Sequence, residues 1–196
     1  MATQIRETDT VAFRRFSAEE YHRLGEIGVL GACERVELLD GFLIDMPPIG
    51  YRHEYVSSTL ANLIVRAVGA GEIIRANSPI SLSANSEPQP DVIVLQAPPT
   101  RYRDRLPGPA DILLLIEVAD SSRAYDRGPK AQVYADAGIE ELWIVDLVAA
   151  ELLVLREPRA EGYASTVVLR RGDRISPTRL PSVIVEVSAF LDAAQP

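Results

Sequence analysis

Residues 112–118, Ile-Leu-Leu-Leu-Ile-Glu-Val, are the most hydrophobic segment of this chain, and they contain one acid, Glu117. Apolar residues without alternation are the pattern of a central strand covered on both faces. A helical pattern follows from about Asp126 to Ala137, closed by Gly138, and then a second apolar run, Leu142-Trp-Ile-Val-Asp146. Strand, helix and strand in that order predict a parallel pair joined by a right-handed crossover. The unit commits the chain to a mixed α/β fold in which helices pack on a sheet.

The flanking sequence supplies further elements. Ser17-Ala-Glu-Glu20 reads as a capping box opening a helix through about Ile27. Residues 35–41 and 42–46 read as two strands joined at Asp40-Gly41, a hairpin signal. From Tyr51 to about Ala70, Val56, Leu60, Leu63, Ile64 and Ala67 fall on one helical face, with Gly69 and Gly71 at the end. Strands are expected at 72–76, 79–82 and 91–95, with a polar loop at 83–90 and a Pro- and Arg-rich connector at 96–110. Residues 152–155, 163–169 and 183–187 complete the strand pattern, and 188–193 suggest a last helical turn.

The length of 196 residues suits one domain: a flexible segment at 1–15 and a single folded unit at 16–192. One cysteine, Cys33, makes no internal disulfide and no metal cluster, which fits a reducing compartment. The first ten residues lack an apolar signal-peptide region, and no apolar run approaches the ~20 residues of a membrane span. A cytoplasmic location is expected. A net charge of −8 argues against a protein that coats nucleic acid nonspecifically, but not against one that holds it through a local groove or a metal ion.

Three residues carry the strongest chemical signal. An ionised Glu117 inside an apolar strand is costly unless it is paired or binds a metal, and period two places it with Leu115 and Leu113. Asp91 opens its strand after Pro90, so the two acids offer hard oxygen ligands from adjacent strands, suited to Mg²⁺ or Mn²⁺. Lys130 is the only lysine, against 19 arginines. Asp126, Lys130, Val133, Tyr134 and Ala137 share a helical face expected to pack on the sheet, which turns Lys130 inward toward Glu117 or Asp91. A buried position that keeps lysine suits a compact ammonium whose pKa burial can lower.

Glu37 in Val36-Glu-Leu-Leu-Asp-Gly41, His53 at a helix start, Pro90-Asp91, Glu117-Val118, the Asp126…Lys130…Tyr134 spacing and Leu142-Trp-Ile-Val-Asp146 together resemble the Uma-type restriction endonuclease family, within the PD-(D/E)XK nuclease superfamily. The resemblance spans roughly residues 16–190. It implies a restriction-endonuclease-like core with flanking helices and extra N- and C-terminal strands, acting as a divalent-metal-dependent DNA endonuclease. Asp91, Glu117 and the Val118 backbone carbonyl would ligate Mg²⁺ or Mn²⁺. The usual lysine, two residues after the glutamate, is Ala119 here, and Lys130 on the following helix is its match. Glu37 would hold a second metal or a water, and His53 matches a family histidine. Asp126, as a helix cap, Tyr134, by packing, and Asp146, as a turn former, would support the site. DNA is the implied substrate, and two-strand cleavage favours a homodimer. Two other readings stay open: an inert member of the fold that binds nucleic acid or protein, and a hydrolase of smaller phosphate esters.

Overall fold

The computed structural model describes residues 12–31, 34–68 and 72–191. Helix α1, Ala18–Glu26, starts at the expected capping box, with Ser17 and Glu20 each capping the other's backbone N–H. Strands β1, Val36–Leu39, and β2, Phe42–Asp45, form an antiparallel hairpin of their own. Its turn uses positive φ at Asp40 and Gly41. A Cβ at Gly41 would lie 2.5 Å from Arg15 Cβ, so space as well as φ selects glycine. Helix α2, Tyr51–Val68, follows.

The main sheet has six strands in the order β3-β4-β5-β6-β7-β8. They are β3, Ile73–Ala76, β4, Val92–Leu95, β5, Ile112–Ala119, β6, Glu141–Asp146, β7, Glu151–Arg159, and β8, Gly162–Leu169. All pairs are antiparallel except β5–β6, which is the parallel pair expected from the strand–helix–strand pattern. Every residue of β5 and β6 is buried. One face of the sheet packs Val92, Ile116, Trp143 and Val154 against Val56, Leu60 and Ile64 of α2 and against Phe190 near the C-terminus. The other face packs Ile93, Leu115, Ile144 and Leu153 under Ala131 and Tyr134 of the crossover. A pair of two-residue strands, β9, Arg174–Ile175, and β10, Val185–Glu186, and the turn α5, Ser188–Leu191, close the chain.

Several expectations are corrected. Residues 79–82 form no strand. Ile80 and Leu82 do donate to the Pro88 and Ser86 carbonyls, but Pro88 and Pro90 lack the N–H groups that a ladder needs. Leu113 does not share a face with Glu117, because the β4–β5 register slips between Val94 and Leu95 and turns Leu113 to the α2 side. The crossover is not one regular α-helix starting at Asp126. It begins earlier with α3, Arg123–Tyr125, widens into a π turn at Asp126–Lys130, and continues as α4, Ala131–Asp136. Asp126 therefore lies inside the helical path and is not its cap. The extra residue of the π turn also rotates the buried face, so Ala131, Tyr134 and Ala135 are buried while Val133 and Ala137 are only half covered. The expected end of α2 at Gly69 and Gly71, the first eleven residues of the 1–15 segment and the end of the last turn at Ala193 lie outside the described residues.

Candidate active site

The β4–β5 ladder pairs Val92 with Ile116, so Asp91 and Glu117 stand one step further along, on the sheet face that carries α4. Asp91 Oδ2 accepts the Val118 N–H at 2.7 Å. His53, in the first turns of α2, places Nε2 3.1 Å from the same oxygen, and Ser57 Oγ lies 3.4 Å from its Nδ1. Burial alone would lower the His53 pKa, but the hydrogen bond and charge of Asp91 hold it above its ordinary value.

Lys130 enters from the π turn and is 3% exposed. Its Nζ lies 3.0 Å from Glu117 Oε1 and 3.1 Å from Glu37 Oε2. Tyr134, one turn on, donates its hydroxyl to Glu117 Oε1 at 2.6 Å. Glu37 reaches the cluster from β1, where it is 1% exposed, so it is a buried partner of Lys130 and not a charge at a sheet edge. The Gln89 N–H donates to its Oε2 at 3.1 Å and the Tyr125 hydroxyl to its Oε1 at 3.3 Å. Ser122 Oγ donates to Asp126, which also lines the pocket.

Four buried acids, Glu37, Asp91, Glu117 and Asp126, thus surround one ammonium. Burial, then the charges of Asp91, Asp126 and Glu37, push the Glu117 carboxyl well up, against the pull of Lys130. Burial alone would lower Lys130, but Glu117, Glu37, Asp126 and Asp91 raise it above its ordinary value. The sequence suggested an amine whose pKa burial lowers. The structure corrects this, because the charges of the surrounding acids outweigh desolvation and raise the amine instead.

Asp91, Glu117, Lys130, Glu37, His53, Asp126 and Val118 all line one pocket of about 510 Å³, together with Arg35 and residues 45–50. Tyr134 sits behind it, bonded to Glu117, and is more than a packing residue. Asp146 lies outside it at the end of β6. There Oδ1 accepts the N–H groups of Val148 and Ala149, the expected turn role, while Oδ2 meets Arg123 and Arg127. Sequence reasoning missed Tyr125 and Gln89. Tyr125 had only its place beside Asp126 to mark it, and Gln89 acts through its backbone, which no side-chain pattern reveals.

Among the described residues no group of three or more His, Cys, Asp or Glu side chains forms a ready metal cage. The donor set has a different character. Asp91 Oδ1 and Glu117 Oε2 have no protein hydrogen bond, and neither is sealed: among the described residues, only Arg156 Nε is a buried side-chain polar atom without a partner. Two open carboxylate oxygens in an acid-rich pocket fit a hard ion such as Mg²⁺, which keeps several waters and takes one or two carboxylates. They do not fit a tetrahedral zinc site.

A mixed sheet with helices on both faces is a fold shared with a solved structure. A crystal structure described as a "putative nuclease belonging to DUF820" from Anabaena variabilis ATCC 29413 superposes with a TM-score of 0.70 at 13% identity, covering 92% of this chain and 99% of that one. Residues 18–188 match the Uma2 family, described as "Putative restriction endonuclease", and the chain belongs to that family. No curated protein matches it.

Proposed function

We propose that this protein is a divalent-metal-dependent DNA endonuclease whose working residues are Asp91, Glu117, Lys130 and Glu37. The observation that carries the reading is the buried Lys130 ammonium between Glu117 and Glu37, beside two open carboxylate oxygens. A structural salt bridge needs one acid, and this lysine has an excess of them. Asp91 and Glu117 would hold Mg²⁺ or Mn²⁺. A bound divalent ion supplies positive charge to the scissile phosphate and acidifies water. Lys130 would donate a hydrogen bond to the attacking water or to the phosphate oxygens as negative charge builds on them. Glu37, itself held by Gln89 and Tyr125, fixes the direction of the amine. Val118 N–H and His53 orient Asp91. In the balanced reaction, water adds to phosphorus, one bridging P–O ester bond breaks, and the departing oxygen takes a proton.

Supercoiled plasmid incubated with the protein and Mg²⁺ tests this. Nicking that stops in EDTA and falls roughly 10²-fold or more in Lys130→Ala and Glu117→Ala is the expected result. Nicking that persists in EDTA, or at wild-type rate in both variants, refutes the site. DNA binding without any nicking points to an inert member of the fold. Turnover of bis-p-nitrophenyl phosphate with no action on plasmid points to a smaller ester as substrate.

A further inference from the structure

Beside the carboxylate pocket lies a cluster of the opposite sign. Asp146 stands level with Ala119 in the parallel β5–β6 ladder and is fully buried. Its Oδ1 is filled by the N–H groups of Val148, at 3.1 Å, and Ala149, at 2.8 Å. Its Oδ2 receives both Arg123 Nε and Arg127 Nη1, the latter at 3.0 Å. One carboxylate therefore orients two guanidiniums, and a net positive charge is left over. The Arg123 and Arg127 side chains remain 44% and 33% exposed, and their other N–H groups have no partner among the described residues. Arg52 reaches the same corner, donating to the Leu147 carbonyl at 3.3 Å. All three arginines are chain neighbours of pocket-wall residues: Arg52 of His53, Arg123 of Ser122, and Arg127 of Asp126.

Anchoring the β6 end needs one arginine. A second one, held in place by the same acid with its outer donors in solvent, is organised for an anion. Guanidiniums recognise phosphate oxygens through paired donors, and an orientation fixed in advance reduces the ordering cost. We propose that Arg123 and Arg127, with Arg52 alongside, form a subsite for a backbone phosphate flanking the scissile one. This rests on the nuclease reading above. In a chain of net charge −8 the subsite gives a polyanion local attraction beside an acidic pocket that would otherwise repel it.

The test is the salt dependence of binding to a labelled DNA duplex, followed by fluorescence anisotropy over a KCl series with Ca²⁺ in place of Mg²⁺. Each phosphate contact contributes roughly 0.9 to the slope of log K against log [salt]. Arg123→Gln and Arg127→Gln should each lower the slope by about that amount. Arg127→Lys should retain it, and Arg66→Ala, at the far end of α2, should leave it unchanged. Arg127→Gln/Asp146→Asn removes both charges of one pair, so no buried carboxylate is left uncompensated, and its slope should fall like that of Arg127→Gln. Binding with wild-type slopes in all these variants overturns the subsite and leaves the nuclease reading intact. A wild type that neither binds nor nicks DNA overturns both.

Discussion

At the scale of single residues, the cluster around Lys130 is defined by what removal of one charge leaves behind. Lys130→Met strips the only ammonium from Glu117 and Glu37, both almost fully buried. Breaking a buried ion pair from one side costs about 3–5 kcal/mol, because the remaining charge is stranded in a poor solvent. Adding Glu117→Gln removes part of that stranded charge. The double variant should therefore be destabilised by less than the sum of the two single variants, as read from urea denaturation midpoints and slopes. Strict additivity would show that Lys130 and Glu117 are not energetically coupled. The identity of these residues was legible in the sequence, since a lone lysine and a lone acid in an apolar strand each break a local pattern. Their pairing was only half legible. Glu117 was an expected partner for Lys130, but Glu37 comes from a hairpin 93 positions earlier, and no periodicity links the two.

Among the elements, β6 illustrates how a buried acid can anchor a sheet. Glu141 opens the strand and accepts hydrogen bonds from Trp143 Nε1, Arg156 on β7 and the Thr178 N–H. Burial alone would raise its carboxyl, but Arg156, Thr178 and Trp143 hold it below the ordinary glutamate value. A carboxyl with a depressed folded pKa adds stability above its unfolded pKa and loses it as pH falls through the folded one. Glu141→Gln should therefore cost about 1–3 kcal/mol at neutral pH, and the gap to the wild type should close as pH drops below about 4. Thermal melts across a pH series check this, and a gap that stays constant with pH would assign the loss to packing. Long elements with a strong period, such as α2 and the β5–crossover–β6 unit, were readable from the sequence. The π turn and the Leu113 slip were not. Both insert one residue into a regular path, and tertiary packing decides where that residue goes.

For the whole molecule, the β1–β2 hairpin is a satellite of the six-stranded sheet. It shares no ladder with that sheet and joins the rest of the fold through the Leu38–Glu87 bridge, the Tyr21 and Gln89 bonds to Val36, the bonds of its turn to Phe16, Asn85 and Ser86, and the buried Glu37. Proteins open in local units at free energies below the global transition, and an element outside the main ladder is one such unit. In Glu37→Ala, hydrogen exchange should speed up in residues 36–45 while β5 and β6 keep wild-type protection. Equal loss throughout would mean that the hairpin and sheet open as one unit. No helix among the described residues is long and apolar enough to cross a membrane.

The placement of Lys130 has a further consequence. Asp91 and Glu117 belong to the sheet, but the amine belongs to the crossover packed on it and Glu37 to the satellite hairpin. Three separately docked pieces must meet before the charges balance. A chain with its sheet formed and its crossover unseated therefore holds acids without their cation, and the constellation exists only when all three pieces are docked. Had the lysine stood at Ala119, on the strand with Glu117, the sheet alone would have carried both. As built, the constellation doubles as a check on completed folding.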